Sequence, residues 1–441
     1  MSTELHPSLQ GTHGWFPMMY HEQQYRAWTS KKRFVALACG RGSGKTELAR
    51  RRIIRYLPVA KPWPNPSYFY ALPTRDQAKR TAWLILKDLV PPKWIKQSWD
   101  SDLIIETVFG SRLYVVGLDK PQRIEGSQYD GCVLDESCDI RPGTFDRSVL
   151  PALSHKNGWC WRIGVPKRYG VGAPEFKTYF DRGMSGVDPD VESYTWKSDT
   201  ILSADQLRFA RENLSESDFQ EQFCASWEKA SGLVYGEFSD DNVVDVQYDP
   251  NKLVIIGCDF NVDPMCWTFS HRVRDRVLGI DELHTFDEVK LKGVTTQQTL
   301  DLVYSRFGSH RAGIQFVGDA TSRARKTAAA FSDYVQIQND TRFINKNVFF
   351  PNANPSRLDR YAAVNAMLRN ASGIRRWKIS PRCKRLILDL RNLAFIVGTR
   401  EPNVDGIDNG EMGHMSDAAG YVIFAVWPLT PVSEGAARIH A

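Results

Sequence analysis

The sequence predicts an α/β chain of two domains, the first built on a mainly parallel sheet and the second opening with antiparallel strands. Three observations predict it. Over residues 34–200 apolar runs of strand length alternate with helical patterns, as a parallel sheet covered by helices requires. Over 201–232 the pattern turns polar and helical. Beyond that, three strand-like runs follow in quick succession before helices return. The expected boundaries are a first domain over 1–200, a helical linker over 201–232, a second domain over 233–430 and a flexible tail over 431–441.

In the first domain the strand candidates are Phe34–Cys39, Tyr68–Leu72, Leu113–Val116, Gly131–Leu134 and Cys160–Val165, with helices at Thr46–Tyr56 and Arg75–Leu89. Phe109-Gly110-Ser111 between two apolar runs reads as a tight turn, so a local hairpin decorates the sheet. Ser203 and Ser215 stand where helix N-caps belong in the linker. The second domain begins with strands Leu253–Asp259, Met265–His271 and Val277–Leu283, and a fourth strand, Ile314–Asp319, follows a helical stretch. Three antiparallel strands followed by alternating strands and helices is the order of an RNase H-like fold.

The 441 residues exceed one ordinary core, and 42% hydrophobic with 24% charged residues is a globular composition. A net charge of +6 suits a polyanion partner without requiring one. Two basic clusters stand out, Arg50, Arg51, Arg52 and Arg55, and then Arg375, Arg376, Lys378, Arg382, Lys384 and Arg385 around Trp377; each reads as a solvated or DNA-facing surface. The eight Cys lie scattered, without metal-type pairs, and Cys39, Cys132 and Cys258 sit in apolar runs, the pattern of reduced core thiols in a cytosolic protein. The sequence starts without a basic-then-apolar signal, and no uncharged apolar stretch approaches the roughly 20 residues that span a bilayer. No membrane stage is expected.

Cys39-Gly40-Arg41-Gly42-Ser43-Gly44-Lys45-Thr46 follows the first strand and opens a helix. This is a phosphate loop: glycines turn backbone amides towards phosphate oxygens, Lys45 supplies a cation for the outer phosphates, and Thr46 offers a hydroxyl to Mg²⁺. The strict pattern places Gly where this chain has Cys39, and Gly40 comes one position late. Downstream, Cys132-Val133-Leu134-Asp135-Glu136 ends an apolar strand in two carboxylates. Asp135 would hold Mg²⁺ through water, and Glu136 is placed to polarise the water that attacks the γ-phosphate. Together these residues define an ATPase domain of the ASCE type. Arg41 and Arg123 are the candidates for neutralising transition-state charge, in cis and across a subunit boundary respectively, and Gln24 for reading the adenine edge.

Two-metal phosphodiester cleavage needs carboxylates that converge from different elements on ions about 4 Å apart. Asp259 ends the first strand of the second domain, Asp319 ends its fourth, and Asp417 opens the last helix. Asp263, Glu282 and His414 are supporting candidates, and Arg323, Arg325 and Lys326 follow Asp319 closely enough to clamp a DNA backbone.

In their order along the chain these motifs resemble those of the large terminase subunit of tailed double-stranded DNA bacteriophages. The resemblance includes the phosphate loop with its internal arginine, Leu72-Pro73-Thr74-Arg75-Asp76-Gln77-Ala78, Val133-Leu134-Asp135-Glu136, Gly164-Val165-Pro166, Ser231-Gly232-Leu233-Val234-Tyr235, Gly257-Cys258-Asp259-Phe260 and His414-Met415-Ser416-Asp417-Ala418. It implies an N-terminal ATPase that translocates DNA into a prohead and a C-terminal nuclease that cuts concatemeric DNA with Mg²⁺ or Mn²⁺. Lys45, Thr46, Asp135 and Glu136 then serve hydrolysis, Gly164 to Pro166 coupling, and Asp259, Asp319 and Asp417 cleavage. It also implies a ring, of five subunits, on the portal protein, a small terminase subunit as partner, and action in the host bacterial cytoplasm with transient docking on the prohead. The competing reading is an ATP-dependent helicase-like or repair DNA remodeller with a degenerate RNase H-like domain.

Overall fold

The computed structural model describes residues 21–227, 232–261, 263–323, 331–343, 345–396, 399–404 and 412–428. Arg325, Lys326 and the expected tail lie outside them. The chain divides into two compact units: one runs to Leu207 and includes the segment beginning at Gln220, and the other holds Arg208–Phe219 and the rest of the chain.

The first unit is an eight-stranded sheet of β1 (Phe34–Ala38), β2 (Ser67–Leu72), β3 (Ile95–Trp99), β4 (Ile104–Thr107), β5 (Arg112–Gly117), β6 (Gly131–Leu134), β7 (Trp159–Gly164) and β8 (Val191–Tyr194). Its order is β3-β4-β5-β2-β6-β7-β1-β8. From β5 to β8 all pairs are parallel, while β3, β4 and β5 pair antiparallel. β1 and β6 are buried along their whole length, because helices cover both faces of a parallel sheet. The 109–111 turn joins β4 to β5 as expected, with Gly110 at φ 80. β3 and β8 were not anticipated; the first is largely polar and the second is short. The helix expected over Arg75–Leu89 is interrupted by a π turn at Ala78–Trp83.

Neither arginine cluster is simply a solvated face. Arg52 is buried, donates to the carbonyls of Trp28 (2.5 Å) and Ser30 (3.1 Å), and lies over the rings of Tyr56, Trp159 and Trp161. Arg51 pairs with Glu47 at 2.8 Å and Arg55 lies over Trp28. In the second unit Arg375 donates to the carbonyls of Glu237 and Leu368, both at 3.1 Å, and Arg376 lies over Trp427. Guanidinium groups brace carbonyls and stack on rings, and a charge run in a sequence does not reveal that.

In the linker, Ser203 and Ser215 accept the amides of Gln206 (3.3 Å) and Asp218 (3.1 Å). The second unit is a six-stranded sheet of β9 (Val254–Asp259), β10 (Met265–Arg274), β11 (Asp281–Leu291), β12 (Ile314–Gly318), β13 (Lys346–Phe349) and β14 (Trp377–Ile379), in the order β13-β12-β9-β10-β11-β14. β9, β10 and β11 are antiparallel, and β12 joins β9 in parallel. The third strand corrects the expected Val277–Leu283. Asp275 accepts the amides of Val277 (2.8 Å) and Leu278 (2.9 Å), and Gly279 has φ 65, so residues 275–280 form the hairpin turn.

The helix His414–Val426 lies against β9 over Gly257, where an added Cβ would stand 2.4 Å from the Ala418 carbonyl oxygen and 2.7 Å from Thr268 Oγ1. Backbone cannot yield as a side-chain end can. Gly257→Ala is therefore expected to cost about 1–3 kcal/mol, read in thermal unfolding as about 2–4 °C lower Tm per kcal/mol.

Candidate functional sites

The phosphate loop stands at the end of β1. The amides of Cys39 and Gly40 still donate to Gly164 (3.1 Å) and Trp196 (3.0 Å), so the strand ladder continues to Gly40. Cys39 is wholly buried. The glycine is needed one place later: a Cβ on Gly40 would lie 2.4 Å from Ser198 Oγ and 2.6 Å from the Phe223 carbonyl oxygen. Gly42 and Gly44 take φ 69 and 78, the left-handed region glycine favours. Ser43 Oγ donates to the Gly40 carbonyl at 2.5 Å, and Lys45, buried in the first turn of Lys45–Tyr56, reaches back to the same carbonyl at 3.5 Å.

Gln24 is fully buried and donates through Nε2 to the Ser43 carbonyl at 3.3 Å, so its amide braces the loop. Trp196 Nε1 donates to that carbonyl as well, at 2.8 Å. Arg41 is exposed on the loop, held by its backbone: its amide donates to the Gln222 carbonyl at 2.6 Å and its carbonyl accepts from Ser198 Oγ at 2.6 Å. Arg123 stands apart on the 121–123 turn, with its guanidinium 3.5 Å from Asp119.

Asp135 follows β6 and is buried, accepting Tyr70 Oη–H at 2.6 Å and the Glu136 amide at 2.9 Å. Burial pushes its carboxyl above the usual range, the charge of Glu136 adds to that, and Lys45 opposes it. Only β7 stands between β1, which leads into the loop, and β6, which leads into Asp135. The Thr46 hydroxyl, in the first turn of the helix, and the buried Asp135 carboxylate are oxygen donors of the kind that Mg²⁺ takes. Glu136 takes φ 53, a strained conformation for a non-glycine residue, and points a partly exposed carboxylate at Lys167, 3.3 Å away.

In the second unit Cys258 and Gly318 are register partners on β9 and β12, so Asp259 and Asp319 leave adjacent strand ends side by side. Both are buried. The helix His414–Val426, seated on Gly257, brings Asp417 to the same place, and the charge of Asp259 bears on both other aspartates. His414 Nδ1 lies 2.9 Å from Asp259 Oδ2, and Asn261 Nδ2 donates to that oxygen at 3.0 Å. The Asp259 carboxylate lifts His414 above its ordinary range. Asp319 Oδ2 accepts Thr321 Oγ1, whereas its buried Oδ1 has no hydrogen-bond partner among the described residues.

Asp417 accepts Arg360 Nη2 at 2.6 Å, and burial pushes its carboxyl up to about 6 although Arg360 pulls it down. Arg360 is itself buried, over Tyr421. Among the described residues no three His, Cys, Asp or Glu side chains close round an ion as they stand; the Asp417 carboxylate lies on Arg360 instead. The donor set still fits a divalent cation, because Asp319 Oδ1 is a buried acceptor without a partner among the described residues and Asp259 ends the adjacent strand. Removing Arg360 leaves the partly buried Asp417 carboxylate unpaired, so Arg360→Met is expected to destabilise the chain by about 1–3 kcal/mol, measured by denaturant unfolding; an unchanged stability would contradict the pairing.

Glu282, by contrast, stands far from these aspartates. Glu282 opens β11 opposite Val273, seven residues along β10 from Cys266, the partner of Asp259, which is roughly 23 Å. It bonds His284 at 2.7 Å. Asp263 is exposed in the turn after β9. Arg323 donates to the Phe350 carbonyl at 2.6 and 3.0 Å and lies over Tyr334, so it is braced rather than offered to a backbone. Sequence reasoning missed Tyr70, Lys167, Asn261, Arg360 and Asp389; the last accepts the amides of Met415 (3.1 Å) and Ser416 (3.0 Å) and anchors the helix that carries Asp417. Only Asn261, two places after Asp259, had a positional signal.

No family model matches this sequence, and no curated protein matches it. Among solved structures the chain is similar to the large terminase of a thermophilic bacteriophage: 16% identity, TM-score 0.55, covering 92% of this chain and 98% of that one. The same terminase in complex with ADP matches with TM-score 0.54 and 16% identity, over 91% of this chain and 98% of that one. In complex with ATP-gamma-S it matches with TM-score 0.54 and 15% identity over the same shares. The two-domain α/β fold is thus that of a phage large terminase. Among the described residues no helix is long and apolar enough to cross a membrane.

Proposed function

We propose that this chain is the large terminase subunit of a tailed double-stranded DNA phage, an ATP-driven DNA translocase that also cuts concatemeric DNA. The observation that carries this reading is the pairing, in one chain of that fold, of a phosphate loop beside Asp135 and Glu136 with three aspartates at adjacent strand and helix ends. ATP binds with its phosphates on the amides of 40–46 and on Lys45, and Glu136 takes up the proton of the attacking water. Mg²⁺, when bound through Thr46 and Asp135, neutralises phosphate charge. Arg41 adds a cation from the same chain, and Arg123 serves the neighbouring subunit of the ring. Gly164 to Pro166, between β1 and β6 in the sheet, couples hydrolysis to movement.

Asp259, Asp319 and Asp417 would hold the divalent ions of the nuclease, whose chemistry would be water activation and charge neutralisation at the scissile phosphate. His414 and Asn261 fix the Asp259 carboxylate. Translocation requires a portal-docked ring, of five subunits, and recognition of the genome falls to a small subunit; both act in the host cytoplasm. The antiparallel β9-β10-β11 core opposes a helicase with a second ATPase sheet, whereas a remodeller with a degenerate RNase H-like domain shares that core and differs in strand displacement. The reading is tested by ATP turnover with and without duplex DNA and by strand displacement: DNA-stimulated hydrolysis without displacement supports it, and displacement of a paired strand opposes it.

A further inference from the structure

The segment after β7 carries Lys167, which no part of the reading above employs. Its ammonium lies 3.3 Å from Glu136 Oε2 and also bonds Asp139 Oδ2, so one cation joins the carboxylates on either side of the 137–138 turn. The backbone on both sides of the lysine is fixed. Pro166 precedes it with a locked φ, and Arg168 follows, its amide donating to Glu221 Oε2 at 2.6 Å and its Nε to the same oxygen at 2.9 Å. The neighbouring Gln222 carbonyl accepts the Arg41 amide of the phosphate loop at 2.6 Å. Lys45, the other lysine of this site, is turned onto the Gly40 carbonyl.

We propose that Lys167 is the positioning residue for Glu136: it holds one carboxylate oxygen and so aims Oε1, which makes no described bond, at the water that attacks the γ-phosphate. This rests on the reading of Glu136 as the water-polarising group. An exposed lysine pair contributes little because two flexible side chains must be ordered. Here Lys167 is three-quarters buried, its backbone is tied, and Glu136 is already held in an uncommon backbone conformation. An ångström of misplacement at a reacting group costs on the order of 100-fold in rate, whereas nucleotide affinity depends on the loop and Lys45.

The test is steady-state ATP hydrolysis by the full chain, with ADP affinity and thermal unfolding as checks of the fold. Lys167→Met is expected to lower kcat by about 10–100-fold with KM for ATP and ADP affinity unchanged, and Lys167→Arg to recover part of the loss. Asp139→Asn, which releases the second anchor and retains the lysine, is expected to give a smaller loss in kcat alone. A folded Lys167→Met or Asp139→Asn protein with wild-type kcat overturns the proposal, as does a rise in kcat, which would make the pair a restraint on Glu136. A loss carried in KM also overturns it. A wild-type chain that turns over no ATP overturns the nucleotide-site reading itself, so the two failures are distinct.

Discussion

Lys45→Ala is expected to abolish ATP turnover, by at least about 100-fold, and to leave metal-dependent cutting of plasmid DNA at the wild-type rate. The Lys45 ammonium is buried at the loop and acts on Asp135 across the site. In so sheltered a position a fixed cation facing the outer phosphates acts through a low effective dielectric, and water cannot replace it. Alanine at this first helical position keeps helix propensity, so the change falls on chemistry rather than on folding. Phosphate release and plasmid nicking, measured on one preparation, check both halves. Normal turnover by this variant removes the nucleotide-site assignment.

The converse substitution, Asp259→Ala, is expected to abolish Mg²⁺- or Mn²⁺-dependent cutting and to spare ATP hydrolysis. Asp259 is the member of the acidic set whose charge reaches Asp319, Asp417 and His414 together. Outer-shell partners of a metal alone are worth about 10–100-fold, and loss of a central ligand is expected to exceed about 100-fold. It also frees Asn261 and His414 from the oxygen they share. Plasmid conversion on a gel is the readout, with Mn²⁺ affinity by calorimetry as the second. A variant that cuts at the wild-type rate shows that the metals lie elsewhere.

Contiguous features were the legible ones. The phosphate loop, the Asp135-Glu136 strand end and the buried runs of β1, β2, β6 and β7 are written in neighbouring residues, so backbone geometry and strand burial follow from the sequence. Asp259 and Asp319 were legible for a related reason: each ends an apolar strand, and the strands proved to be adjacent. The third strand of the second domain was misplaced because Val277 and Leu278 look like strand residues until Asp275 captures their amides. The arginine clusters misled only in part: Arg52, Arg375 and Arg376 pack on carbonyls and rings, whereas Arg382, Lys384 and Arg385 are exposed as expected. Arg360, Lys167 and Asp389 were silent because each gains its role from a partner brought near only by folding, Asp417, Glu136 and the start of the last helix respectively.

The Asp417–Arg360 pair bears on how the second site is assembled. Asp417 reaches the cleft on a helix seated by Gly257 and anchored by Asp389, and its carboxylate rests on a cation within the protein. The partly buried Asp417 carboxylate and the buried Arg360 guanidinium satisfy each other, so the pair fixes the position of this side chain at the start of the helix.

Packaging itself is the most direct test of the proposal that this chain both drives and cuts DNA. Purified proheads, linear duplex DNA, ATP and Mg²⁺ are combined with this chain, and the DNA that survives added nuclease is measured. The account predicts DNA protected in proportion to time and ATP, none with Lys45→Ala, and protection retained on precut DNA with Asp259→Ala. A chain that hydrolyses ATP and cuts plasmid but never protects DNA in its own proheads would contradict it.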